Sequence, residues 1–204
     1  EDLEAKLWNN PLKSKDLNID FNNIHSDFDS QLDIWIRSLP TPLAYQLNLY
    51  RASSQSNKSK FEALIQLYES LIRFNAIVHM SAYIDSARWQ TILPDITSAS
   101  GQTGGILDKP TLGTWHNIAS KLSADVRKLM QEDRQLLSDM YKGIDIRLIK
   151  SISEKTIGET SEHVIRERNA KVGHSGKVIE EEYETSIPLL ENKLFDIIRN
   201  LRRG

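Results

Sequence analysis

Apolar residues recur at spacings of three and four along most of this chain, the period that lays one stripe along an α-helix. Residues 1–23 give a short helical fragment around Leu3, Leu7 and Trp8, then an Asn/Asp/Lys-rich connector containing Pro11 that reads as a tether. Ser26 or Asp27 can cap a helix carrying Phe28, Leu32, Trp35, Ile36 and Leu39, which Pro40 ends. Pro42 suits the first turn of a second short helix through Tyr45, Leu49 and Tyr50. After a polar linker over residues 51–60, the positions Phe61, Leu64, Ile65, Tyr68, Leu71, Ile72, Asn75 and Val78 predict a long helix running towards Trp89. Pro94 and the small polar run over residues 98–105 predict the longest irregular loop, a mobile one.

Thr111 can cap the next helix, with Leu112, Trp115, Ile118, Ala119, Leu122, Val126 and Leu129 on one face. Further helices are expected over residues 133–151, 154–171 and 179–201, with Pro188 kinking or restarting the last. No strand pair, hairpin signal, βαβ alternation or internal repeat appears. The expected fold is therefore all-α: an antiparallel helical bundle over residues 52–204, preceded by an N-terminal helical extension over residues 1–51.

Composition narrows the function. A hydrophobic fraction of 39%, with four Trp, six Tyr and five Phe, supplies a sizeable core without metal or covalent staples. The formal net charge of −2 argues against coating nucleic acid by bulk charge, so a polyanion must be met at a local site. With Cys at 0 there is no disulfide framework, thiolate metal site or cysteine nucleophile, which fits a reducing compartment such as the cytoplasm. No apolar run is long enough to span a bilayer, and no membrane partner is expected. The chain opens at Glu1 with a helical pattern already under way, which predicts excision from a larger protein with further domains.

Most candidate chemistry reads as structure. Gly101, Gly104 and Gly105 lack the Lys-Ser/Thr pair and preceding strand of a phosphate cradle. Glu159, His163 and Glu167 sit four apart, but three ligands on one helix do not close a metal site, so no metal or other cofactor is expected. His79 and His116 lie beside apolar residues, where a hydrogen-bonded structural histidine is the usual finding, and His25 reads as connector. No Ser or Thr sits in a nucleophile-elbow context.

Segment 168–174, RNAKVGH, is different. On an uninterrupted helix Arg168 and His174 would point to different faces, but Gly173 suits the left-handed position after a helix, where the chain folds back over the last turn. Arg168 and His174 could then converge, with Asn169 orienting the imidazole or a bound phosphate. Arg offers a planar fork for phosphate and His exchanges protons near neutrality. Arg166, Arg168, Lys171 and Lys177 stand against the single acid Glu167 over residues 164–177, a basic patch suited to an anionic ligand. On spacing alone, a helix end with dipole-complementing basic residues and a glycine cap is the commoner origin of this pattern.

RNAKVGHSG resembles the signature of the HEPN superfamily: an Arg, a polar residue that is often Asn, and a His after four to six positions, at the junction of the penultimate and final helices of a bundle. Here five residues intervene. The resemblance covers residues 58–201, and it departs from the family in placing Gly173 immediately before His174. It implies a metal-independent endoribonuclease that acts as a homodimer on RNA, of the kind found in bacterial toxin and antiviral defence proteins. Arg168 and His174 would be catalytic and Asn169 supporting, with Arg166, Lys171 and Lys177 as RNA-binding residues. A two-fold contact of the last helices would bring both copies of the motif into one cleft, doubling the groups available for 2′-hydroxyl attack. A non-catalytic HEPN-like module that dimerises or docks a partner is the alternative.

Overall fold

A computed structural model describes residues 28–53, 55–100, 107–108, 110–172 and 180–203. Among them the chain forms helices only: α1 (Phe28–Ser38), α2 (Thr41–Ala52), α3 (Asn57–Tyr83), α4 (Ala87–Ser100), α5 (Leu112–Glu132), α6 (Arg134–Met140), α7 (Ile146–Ile152), α8 (Lys155–Val172) and α9 (Glu180–Arg203). None of these helices is long and apolar enough to cross a membrane. The fragment expected around Leu3, and the caps expected at Ser26 and Asp27, lie outside the described residues.

The spine is α3, 27 residues and about 40 Å long. Its first half packs Phe61, Leu64, Leu67 and Tyr68 against α1, α2 and α9, in a core that includes Leu32, Trp35, Leu43, Leu47, Leu190 and Leu194. Residues on both sides of position 51 thus build one core. Its second half, through Ala76, Ala82 and Tyr83, joins Ile92 and Ile96 of α4, Leu122 and Val126 of α5, and Leu137 and Ile149 beyond. Polar ties fix the neighbours. The Tyr50 hydroxyl and Lys60 ammonium both bind Glu191, linking α2, α3 and α9. Arg88 grips Asp125 through two guanidinium nitrogens at 2.6 and 2.9 Å while the Tyr83 hydroxyl donates to the same carboxylate, linking α3, α4 and α5.

The bundle is not a simple alternation of directions. Contacts between α3 and α9 ascend together, Asn57 with Glu180, Phe61 with Tyr183 and Tyr68 with Leu190, so these helices run parallel. His79 with Ser123 and Tyr83 with Asp125 give α3 and α5 the same relation. The penultimate helix, α8, opposes all three, as Arg168 with Glu69, Arg127 with Ser153, and Asn200 with Glu154 show. The shorter α4 lies between α3 and α5 in the chain, α6 and α7 lead from the end of α5 to the start of α8, and α8 runs back towards the first part of α9.

Several boundaries differ from the sequence expectation, each for a local reason. The long helix stops at Tyr83, where the Ser86 hydroxyl and backbone N–H both donate to the Tyr83 carbonyl and open the turn into α4. Pro94, expected in a loop, lies inside α4 on its exposed side, while Ile92 and Ile96 hold the buried side in place. The last helix, expected over residues 179–201 with Pro188 inside it, is α9, where Pro188 is exposed and Ile187 and Leu190 are buried on either side. The loop expected at residues 98–105 is helical in its first part, and residues 101–105 lie outside the described residues.

The single helix expected over residues 133–151 is two, α6 and α7. Lys142 and Gly143 take left-handed backbone angles, φ 52° and 81°, and Asp145 then caps α7 by accepting from the Arg147 N–H at 2.8 Å. Nothing lies within 4 Å of where a Cβ at residue 143 would sit, so the demand there is for backbone freedom rather than space. Gly143→Ala is therefore expected to lower unfolding free energy by about 1 kcal/mol, readable by urea denaturation. The caps at Thr111 and Ser56 are reciprocal: each hydroxyl accepts from the backbone three residues on, and the Thr114 or Ser59 hydroxyl accepts in return.

Candidate functional site

The C-terminal half of α8 is anchored by charge and by packing. Val164 is fully buried against α3 and α9. One turn further on, the guanidinium of Arg168 meets the Glu69 carboxylate of α3, Nε to Oε1 at 2.8 Å. The Arg168 side chain is 40% exposed and Glu69 17%, so the pair sits at the edge of the core with the guanidinium partly open to solvent. Arg73, one turn along α3, lies 3.4 Å from the other oxygen of Glu69. Asn169 is exposed, and its side-chain oxygen is 3.5 Å from Arg168 Nη1. Arg168 and Asn169 are thus adjacent and share the surface where α8 ends.

Lys171 is placed differently from the expected RNA-binding role. Its side chain is only 9% exposed, and its ammonium lies 2.5 Å from Glu167 Oε2, donates to the Ser186 hydroxyl of α9 and rests 5.4 Å from the centre of the Phe61 ring. Its charge neutralises Glu167 inside the fold and ties α8 to α9 and α3. Burial pushes the Glu167 carboxyl up, but hydrogen bonds from Lys171 and Ser186 outweigh this and hold it below the ordinary value. Sequence reasoning missed both Glu69 and Ser186, because neither is near the motif in the chain and no local spacing announces an ion pair across a hundred residues.

Arg166 points the other way, into a groove of about 520 Å³ between α8 and α9 that it lines with His163, Lys193 and Asn200. It is exposed, with Glu162 at 3.9 Å. The Nε2 of His163 is buried there without a hydrogen-bond partner among the described residues. Gly173, His174 and Lys177 lie outside the described residues, so the structure brings Arg168 and Asn169 together and leaves the fold-back onto His174 as an expectation. Glu159 pairs with Lys155 at 2.9 Å and Glu167 with Lys171, and among the described residues no three metal-ligating side chains come together.

His79 and His116 are held to different degrees. His79 is fully buried, with Nδ1 on the Tyr141 hydroxyl and Nε2 3.1 Å from the Ser123 hydroxyl. Burial lowers its pKa to about 4; the nearby Arg127 charge acts in the same direction and a backbone hydrogen bond to Ile152 against it. His116 is half-buried and, contrary to expectation, its Nδ1 has no partner among the described residues.

The chemical capacity of the α8 terminus is therefore a guanidinium held by one carboxylate, with an amide beside it, at the point where the chain leaves the penultimate helix for the last. No family model matches this chain, and no curated protein or solved structure matches it either.

Proposed function

We propose that this chain is an endoribonuclease domain of the HEPN kind, acting as a homodimer and cleaving RNA by attack of its own 2′-hydroxyl, without a metal. Arg168 and His174 from both copies would do the chemistry, with Asn169 in support. One observation carries the reading: Arg168 lies near the C-terminal end of α8, four residues before Val172, its guanidinium steadied by Glu69 yet 40% exposed, and the connection from α8 to α9 contains His174. A guanidinium oriented by one carboxylate keeps other N–H donors for a phosphate. The imidazole would take the 2′-hydroxyl proton and return one to the leaving 5′-oxygen, and a second copy would separate these acid and base roles.

Arg166, on the opposite face of α8, and Lys177 are the residues proposed to meet the RNA backbone; the buried ammonium of Lys171 supports the helix end instead. In this reading the domain serves a larger cytoplasmic toxin or antiviral defence protein. The test is single-stranded RNA incubated with the purified chain in excess EDTA over a concentration series that spans dimer formation. Cleavage that rises with the dimer and leaves a cyclic phosphate is the expected result, and intact RNA throughout would overturn the proposal.

A second reading has its own support. The Arg168–Glu69 pair and the Lys171 network both consume basic side chains inside the fold, as a purely structural helix end would. The chain would then be a non-catalytic dimerisation or docking module, with self-association intact and no RNA cleavage in the parent chain.

A further inference from the structure

Arg168 does not hold Glu69 alone. Arg73, one turn along α3, meets the other oxygen of the same carboxylate, its Nη2 3.4 Å from Oε2 while Arg168 Nε is 2.8 Å from Oε1. Two guanidiniums therefore share one negative charge and leave one positive charge over. Neither helix places a second acid beside them. The other positions three and four residues from Arg73 are Ser70, Ala76 and Ile77, and those around Arg168 include no acid.

Both side chains keep donors to spare. Arg88 spends two nitrogens on Asp125, and Arg147 two on Asp145. Arg73 and Arg168 each meet Glu69 through one nitrogen, and their side chains are 49% and 40% exposed, so further N–H groups lie on a surface that a ligand can reach. Asn169 is exposed beside Arg168, its Oδ1 3.5 Å from Nη1 and its amide NH2 a further donor. With donors unspent and the surplus charge positive, this surface suits an anion that carries several acceptor oxygens.

We propose that Arg73 is a second phosphate-binding residue of the RNA site, gripping the phosphodiester next to the one that Arg168 holds. The inference rests on the nuclease reading and adds to it a residue from outside segment 168–174. Glu69 fixes both forks on one surface, so two phosphates of a strand are met without reordering either long side chain. No bond changes at the phosphate that Arg73 holds. Its contact is therefore equal in the ground state and the transition state, and it lowers KM while leaving kcat alone.

The test titrates the whole chain, by fluorescence anisotropy, with a labelled single-stranded RNA whose 2′-hydroxyls are methylated and which 2′-hydroxyl attack cannot cut. Cleavage of the unmodified strand is measured in parallel. Arg73→Ala is expected to weaken binding of the methylated strand roughly 10-fold and to flatten the slope of log K against log salt by about 0.7. KM for the unmodified strand should rise by a similar factor, with kcat within about 3-fold of the parent. Arg73→Lys keeps the charge and loses the fork, so it should give an intermediate Kd at the parent's salt slope, in a chain that folds as the parent does. Arg147→Ala, which removes a more exposed arginine on α7, is the control for bulk charge and should leave Kd and KM unchanged. Three results would each overturn the proposal: no binding of the methylated strand to the parent, an Arg73→Ala effect no larger than that of Arg147→Ala, or a fall in kcat at unchanged KM. Binding that depends on Arg73 with no cleavage of any strand would keep this phosphate site and remove the nuclease reading. Cleavage of RNA whose binding ignores Arg73 would do the reverse.

Discussion

Alanine at Arg168 is expected to slow RNA cleavage by roughly 10²–10³-fold, because it removes a donor fork aimed at charge that develops on the scissile phosphate. His174→Ala is expected to cost roughly 10²–10⁴-fold through lost proton transfer. Initial rates under EDTA, at protein concentrations that keep the dimer formed, give both numbers. The structure supplies the control for Arg168. Its ion pair with Glu69 is 40% exposed on the arginine side, and Arg73 remains near the same carboxylate, so the loss of folding stability should stay below about 1 kcal/mol. Large loss of activity with a nearly unchanged denaturation midpoint is therefore the signature of a chemical role. Arg168→Lys keeps the charge and loses the fork, and an intermediate rate is expected from it. Cleavage untouched by Arg168→Ala and His174→Ala would exclude the proposed site even if RNA is cut.

The second large effect is on stability and comes from His79. Its imidazole is fully buried, partnered on both nitrogens and held neutral, with a pKa near 4 against about 6.5 in the unfolded chain. A folded-state pKa that is depressed means the unfolded chain takes up the proton first. The stability contribution is therefore whole above about pH 6.5 and is lost as the pH falls towards about 4. The expected loss between about pH 7 and about pH 4.5 is about 2–3 kcal/mol, measurable as unfolding free energy in urea. Asp125 and Glu167, whose carboxyls sit below their ordinary values, withdraw their support at still lower pH. His79→Gln keeps a donor and an acceptor without titrating, so it should be less stable at neutrality yet show a flatter profile across this window. An identical slope in parent and variant would assign the acid sensitivity to other groups.

Both predictions depend on residues whose types are plain in the sequence and whose partners are not. The 3.6-residue period of Phe61, Leu64, Ile65, Tyr68, Leu71 and Ile72 is enough to require a long helix with a buried stripe, and α3 carries it. Thr111 as a cap and Pro42 in a first turn were equally legible, because capping and proline geometry act within a few residues. The break at Gly143 was written locally too, in a glycine followed two residues later by a capping Asp, but the apolar residues on both sides masked it.

Pro94 misled for the opposite reason. It removes one helical hydrogen bond, a cost that the buried Ile92 and Ile96 on the adjoining turns outweigh once they find a core. What the chain's own order of residues determined, then, is an all-helical molecule, the position of most helices and an Arg-Asn pair at the end of the penultimate one. The tertiary structure alone decided that Glu69 steadies Arg168, that Lys171 turns inward, that α3 runs parallel to α5 and α9, and that Asn75 Oδ1 is buried without a hydrogen-bond partner among the described residues. Periodicity and caps are short-range effects, legible along the chain. Ion pairing and burial depend on which distant segments meet, and that is set by the packing of the whole apolar surface.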